Sequence, residues 1–135
     1  MPNQNVLGKV GAGFATAMQT LDIGRCGLGA SSLGSAKEAY DLSVRYAIER
    51  QCTGRAHRRF SSHSVQACRY GREDLRRGTD GLRLCQEGRS RRKMPRSSRS
   101  IVKLFCTEAA SQVIDEAIQI HGGMGFSREL PLDAM

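Results

Sequence analysis

At 135 residues the chain has room for one small hydrophobic core and not for two or three. A net charge of +8 would ordinarily suggest nucleic acid or an acidic membrane surface as partner. The charge is local, however: residues 51–100 carry fourteen Lys and Arg against four Asp and Glu, and the rest of the chain seven against nine.

No apolar run approaches the roughly 20 residues that span a bilayer, and the start MPNQNVLGKV has no charged head followed by an apolar stretch. Five cysteines in that setting read as reduced thiols. The expectation is a cytoplasmic chain with no membrane partner and no disulfide framework.

Val6 to Gly13 is a glycine-punctuated lead-in, and Phe14, Met18 and Leu21 then fall on one helical face. Asp22 to Arg50 reads as a long helix. Its first half is rich in small residues, Gly27, Gly29, Ala30, Ser31, Gly34 and Ser35, which cost helix propensity but allow close approach of a neighbour. Leu33, Ala36, Tyr40, Val44 and Ala47 continue an apolar stripe suited to the centre of a bundle. On the residues alone, Asp22 is a helix N-cap and Arg50 a solvated cation in the last turn.

Residues 51–100 break the pattern. The block is loaded with Arg, Ser and Gly, lacks aliphatic periodicity, and should be disordered or at most irregular and weakly helical. Cys52, His57, His63 and Cys68 lack the short knuckle of structural zinc sites, so no metal site is expected. Arginine clusters such as Arg76-Arg77 and Arg91-Arg92-Lys93 have only Phe60 and Tyr70 near them for base stacking, and no specific nucleic-acid binding is expected. GxGxxG is absent.

Periodicity returns at Ile101. Leu104, Phe105, Ala109, Val113, Ala117 and Ile120 mark one apolar face of a helix, with Lys103, Asp115 and Gln119 looking outward. Gly122 and Gly123 punctuate it and can take the positive φ of a C-terminal cap.

Three stretches carry a resemblance. Residues 6–14 follow VLGxVGxGF, residues 20–50 follow TLDxGRxGxxxxxLGxAxxAxxxxxxYAxxR, and QIHGGMGFSRELPLD closes the later helix. Together they resemble the C-terminal all-helical domain of the FAD-dependent acyl-CoA dehydrogenases. The resemblance implies an all-α fold, the remnant of an antiparallel four-helix bundle with an irregular basic middle: residues 1–50 as the first helices, 51–100 as the basic segment, 101–135 as the later helix and QIHGG loop.

By the same resemblance Asp22, Ile23, Gly24 and Arg25 line the acyl-CoA site. Arg50, with Gln119, Ile120, His121, Gly122 and Gly123, meets the FAD of a neighbouring subunit. The implied reaction is α,β-desaturation of a short-chain acyl-CoA in acyl catabolism, with an electron-transfer flavoprotein as partner and a tetramer-type homo-oligomer as the assembly. No catalytic base is assigned: the family glutamate belongs to a YEGT motif beyond Met135, and its alternative position is Gly24. The chain by itself is expected to be inactive. The competing class is a small basic protein binding nucleic acid or acidic surfaces through residues 51–100.

The middle block also decodes. If each codon is started at the second base of the visible one, Arg55 through Gly71 can read APIADFQAIQFKLADMA, which resembles the family sequence at that place. A shift in the other direction gives a shorter, weaker match for Lys93 through Arg99. The expectation is a reading frame lost near Gln51 and regained near Ser100.

Overall fold

The computed structural model describes residues 2–52, 55–56, 71, 73, 75–83 and 96–135. After a 3-10 turn at Asn3–Asn5, helix α1 spans Gly13–Glu49. Residues 71, 73 and 75–83 are helical, and 75–83 is called α2. Helix α3 spans Arg96–His121 and is followed by 3-10 helices at Gly122–Phe126 and Pro131–Ala134. The β pairing among the described residues is a two-residue antiparallel contact, Gln51 opposite Ala56 and Cys52 opposite Arg55. The all-α expectation holds.

The packing partners fix the helix directions. On α1, Gly29 meets Cys106, Ala36 packs with Ala110 and Val113, and Ala39 with Ala117, so α1 and α3 run parallel. Gly71 lies against Tyr40 and Val113, Gly78 against Leu33 and Cys106, and Gly81 against Val102, so the segment from 71 to 83 descends between them. The described residues therefore form an up-down-up arrangement of three helices.

Small residues set this interface. Ala36, Ala39, Ser43 and Ala47 of α1 are buried, as are Cys106, Ala109, Ala110, Val113 and Ala117 of α3, and Ala36 and Ala39 pack directly on Ala110, Val113 and Ala117. Each methyl group contributes little, but the short side chains let the helix backbones approach and interdigitate. Leu132 adds to the α1/α3 pair from the C-terminal end of the chain, packing on Ala39 and Ala117.

Several expectations change. Asp22 does not start a helix: it is an interior residue of α1 and 3% exposed. No proline interrupts residues 13–49, and the glycine penalty of roughly 1 kcal/mol each is spread over a 37-residue helix that tertiary contacts support. Helix α3 begins at Arg96, five residues ahead of the apolar periodicity.

Ile101, Leu104 and Phe105, expected on the buried face, are 65%, 54% and 36% exposed, and Phe14 and Leu21 are exposed as well. The face that docks α3 at this level is carried by Val102 and Cys106, which meet the bare glycines of the descending helix. Within the block expected to be disordered, residues 71, 73, 75–83 and 96–100 are helical. His57, His63, Cys68 and most of the decoded stretch lie outside the described residues, as does the side chain of Cys52.

Candidate functional site

The ten candidate residues fall into two groups at opposite ends of α1. Asp22 and Arg50 are separated by 28 residues of chain, about 42 Å along a helix axis. They do not form one site within this chain.

At the upstream end, successive residues of a helix point in different directions, so the tetrad is split. Asp22 is buried, Ile23 is 52% exposed, and Gly24 is an exposed interior glycine with open space where a Cβ would stand. Arg25, one turn on, donates from its guanidinium to Asp22 Oδ1 at 2.8 Å. The carboxylate is thus held by a cation that remains part-exposed. Gly24, the alternative position for a base, carries no acid.

The downstream end is built by two helix termini. Arg50 ends α1, with its backbone N–H donated to Tyr46 O at 2.9 Å and its side chain exposed. His121 is the last residue of α3 and is 4% exposed. Its Nδ1 lies 2.8 Å from Ala117 O, so Nδ1 carries the proton and donates it to that carbonyl. The Tyr46 ring covers the imidazole, centroids 4.5 Å apart and planes tilted by 33°.

The chain then turns at Gly122, whose φ of +57° an L side chain rarely adopts. The expected glycine cap is present at Gly122. Gly122 and Gly123 are exposed and a Cβ on either would meet nothing within 4 Å, so bare backbone is presented beside the α1 terminus. Gln119 is exposed, whereas Ile120, 6% exposed, belongs to the core. Gly125 is buried, and a Cβ there would stand 2.7 Å from Ile118 O.

Two residues of this end were not singled out from the sequence. Tyr46 sits in the YAxxR pattern four residues before Arg50, yet nothing in the spacing says that it touches the histidine of another helix. Gly125 is the last glycine of GGMG, and its need for a close approach is visible only in three dimensions.

Among the described residues, two cavities lie away from these groups. One, about 240 Å³, is lined by Ser32, Ser35, Thr107, Ser111 and neighbours between α1 and α3. The other, about 250 Å³, lies between α2 and α3 beside Gly78, Val102 and Phe105. Neither includes a candidate residue. No group of three or more His, Cys, Asp or Glu fit to hold a metal occurs among the described residues, and none of their helices is long and apolar enough to cross a membrane.

The sequence model of the acyl-CoA dehydrogenase C-terminal domain matches residues 11–135. The chain belongs to the acyl-CoA dehydrogenase family. It is 31% identical to the caffeyl-CoA reductase-Etf complex subunit CarC of Acetobacterium woodii, over 100% of this chain and 35% of that protein. With the short-chain specific acyl-CoA dehydrogenase, mitochondrial, of Rattus norvegicus it shares 33% identity over 98% of this chain and 32% of that one.

Among solved structures, butyryl-CoA dehydrogenase from Megasphaera elsdenii superposes with a TM-score of 0.93 at 31% identity, covering 98% of this chain and 34% of that chain. The chain therefore spans about a third of the length of these acyl-CoA dehydrogenase relatives. The alignments run through residues 51–100, so the basic block occupies a place within the family domain.

Proposed function

We propose that this chain is the helical C-terminal portion of an FAD-dependent acyl-CoA dehydrogenase acting on a short acyl chain. Its part is to present the edge formed by Arg50, Gly122 and Gly123 to the phosphates of FAD bound on a neighbouring subunit. The observation that carries the reading is the Tyr46–His121 ring contact, centroids 4.5 Å apart, which brings the end of α1 that bears the exposed Arg50 to the end of α3 that bears the side-chain-free turn. A charged donor beside bare backbone fits a phosphate that approaches from outside, since arginine pairs with phosphate through charge-assisted bonds.

When bound, the flavin supplies the hydride acceptor for α,β-desaturation of an acyl thioester. Among the candidate residues of the acyl-CoA group, none is placed as a base for the α-proton. Asp22 is buried with its Oδ1 engaged by Arg25, and Gly24 has no side chain. Asp22 and Arg25 instead form a fixed pair that offers the arginine's outer face to the anionic acyl-CoA. By itself the chain binds but does not turn over. An electron-transfer flavoprotein as electron acceptor and a homo-oligomer completing the flavin site go with the same reading, supported by a relative whose name places it in an Etf complex. A reducing cytoplasm accords with Cys26 and Cys106, both free thiols.

The test is a titration of the purified 135-residue chain with FAD, followed by flavin fluorescence, with Arg50→Ala in parallel. The chain has no tryptophan, so the signal belongs to the flavin. Saturable binding weakened by the substitution, with no oxidation of butyryl-CoA, is expected. Absence of flavin binding together with salt-dependent retention on DNA would replace the reading with that of a basic binding protein.

A further inference from the structure

We propose that Tyr46 is the positioning residue of the Gly122–Gly123 edge, acting through the ring of His121. The proposal rests on the flavin-edge reading above for its function, but its physical content is the conformation of the turn.

Tyr46 reaches both helix termini. Its carbonyl accepts the Arg50 N–H at 2.9 Å and so closes the last turn of α1, while its ring lies on His121 at a centroid distance of 4.5 Å. The imidazole is held from two directions: the Nδ1–H bond to Ala117 O fixes its rotation within α3, and the Tyr46 ring fixes its tilt from α1. His121 is the residue immediately before Gly122, where the backbone leaves helical geometry at φ +57°. Glycine itself specifies no direction, because it occupies left-handed and right-handed regions with similar ease. The direction must come from the neighbours.

On the far side of the turn Gly125 provides the second anchor, packed so closely on Ile118 that no side chain fits. Between these anchors Gly122 and Gly123 lie in the 3-10 helix Gly122–Phe126 with open space at both Cβ positions, so no side chain packs on that face of the turn among the described residues. On the helix pair that the small residues bring together, Tyr46 thus ties the last turn of α1, which leads into Arg50, to the residue before the bare turn of α3. Arg50 and the two glycines, far apart in sequence, are each one link from Tyr46: Arg50 through its backbone N–H and the glycines through His121.

The experiment compares Tyr46→Ala, Tyr46→Phe and Tyr40→Ala with the unaltered chain by amide hydrogen exchange at residues 122–126 and by FAD titration. Tyr40 packs on the core cluster of Ala36, Ala110 and Val113 and serves as the control for general loosening. Tyr46→Ala is expected to speed exchange at 122–126 about tenfold, the scale of losing one ring contact, and to weaken FAD in proportion. Tyr46→Phe, which keeps the ring, should restore both, and Tyr40→Ala should leave the local exchange pattern of 122–126 in step with the rest of the bundle. Equal effects of Tyr40→Ala and Tyr46→Ala at 122–126, or no effect of Tyr46→Ala there, overturn the proposal. A chain that binds no FAD, yet shows the selective exchange change, sinks the flavin reading and sustains the positioning role.

Discussion

A Cβ placed on Gly78 would stand 2.9 Å from Leu33 Cδ1 and 3.6 Å from Cys106 Sγ, so α2 meets both other helices across a glycine. Alanine at 78 is met by the flexible end of Leu33, which is half-buried and can rotate away; a branched side chain has no such exit. Gly78→Val is therefore expected to lower stability by about 1–3 kcal/mol through overpacking, and Gly78→Ala to change it by less than about 1. Urea unfolding followed by helical circular dichroism measures both.

The glycines of α1 answer differently. Gly27 and Gly34 lie inside the helix with open space where a Cβ would stand. Each can be replaced by alanine without a clash, and each replacement should raise stability by about 0.5–1 kcal/mol through a smaller loss of backbone entropy. A loss of stability in Gly34→Ala, read as a lower urea midpoint, would show that another surface covers this face.

What the sequence made legible follows from which residues carried the packing. The end of α3 was visible because His121 is followed by Gly122, and a glycine just past an apolar periodic run has a defined backbone role. The stripe through Ala36, Tyr40 and Ala47 was visible because those residues are apolar and helically spaced. The descending helix was hidden because the described residues seen to face its neighbours include Gly71, Gly78 and Gly81, which have no side chains for a hydrophobic pattern to register, with Leu75 beside them. The stretch from Arg96 to Ser100 was hidden for a related reason, being polar throughout. For the site, Arg50 and the glycine turn came from the resemblance, but the Tyr46 contact joins residues 75 apart and no local spacing encodes it.

Cys106 has no exposed surface, and burial pushes its thiol pKa up. The folded chain then keeps this proton to higher pH than the unfolded chain does. The associated stability is complete below the ordinary thiol value of about 8.5 and is lost progressively as pH rises from there toward the raised folded value. Urea midpoints between neutral and alkaline pH should fall more steeply for the unaltered chain than for Cys106→Ala. In the folded protein the half-buried Cys26 should react with a thiol reagent well before Cys106, since the thiolate is the reactive form.

Gly125 is expected to be the least replaceable glycine of the C-terminal turn. Its missing Cβ would lie 2.7 Å from the backbone oxygen of Ile118, which cannot rotate aside as a side chain can. Gly125→Ala must move the 3-10 helix or break the contact, at a cost of about 1–3 kcal/mol. Gly122→Ala meets no atom but forces φ +57° on a side chain, costing about 1–2 kcal/mol. Thermal unfolding ranks the two, and an unchanged midpoint in Gly125→Ala would mean that the turn is not held against Ile118.

The basic block yields the last prediction. A shifted frame constrains each decoded residue through two of its three bases, so a run of 17 residues matching the family pattern, from Arg55 to Gly71, has little chance of arising by accident. A shifted frame would account for the charge asymmetry as well, since arginine codons rich in G and C arise when alanine- and aspartate-rich helix is read out of frame. Sequencing the locus should reveal one base gained or lost near the codon for Gln51 and a compensating change near that for Ser100. Mass spectrometry of the protein from its own cells decides which frame is translated. A tryptic peptide containing FQAIQFK would mean that the functional chain carries the aliphatic helix of its relatives; peptides from CRYGREDLR would mean that the basic segment is real and that α2 packs through its glycines.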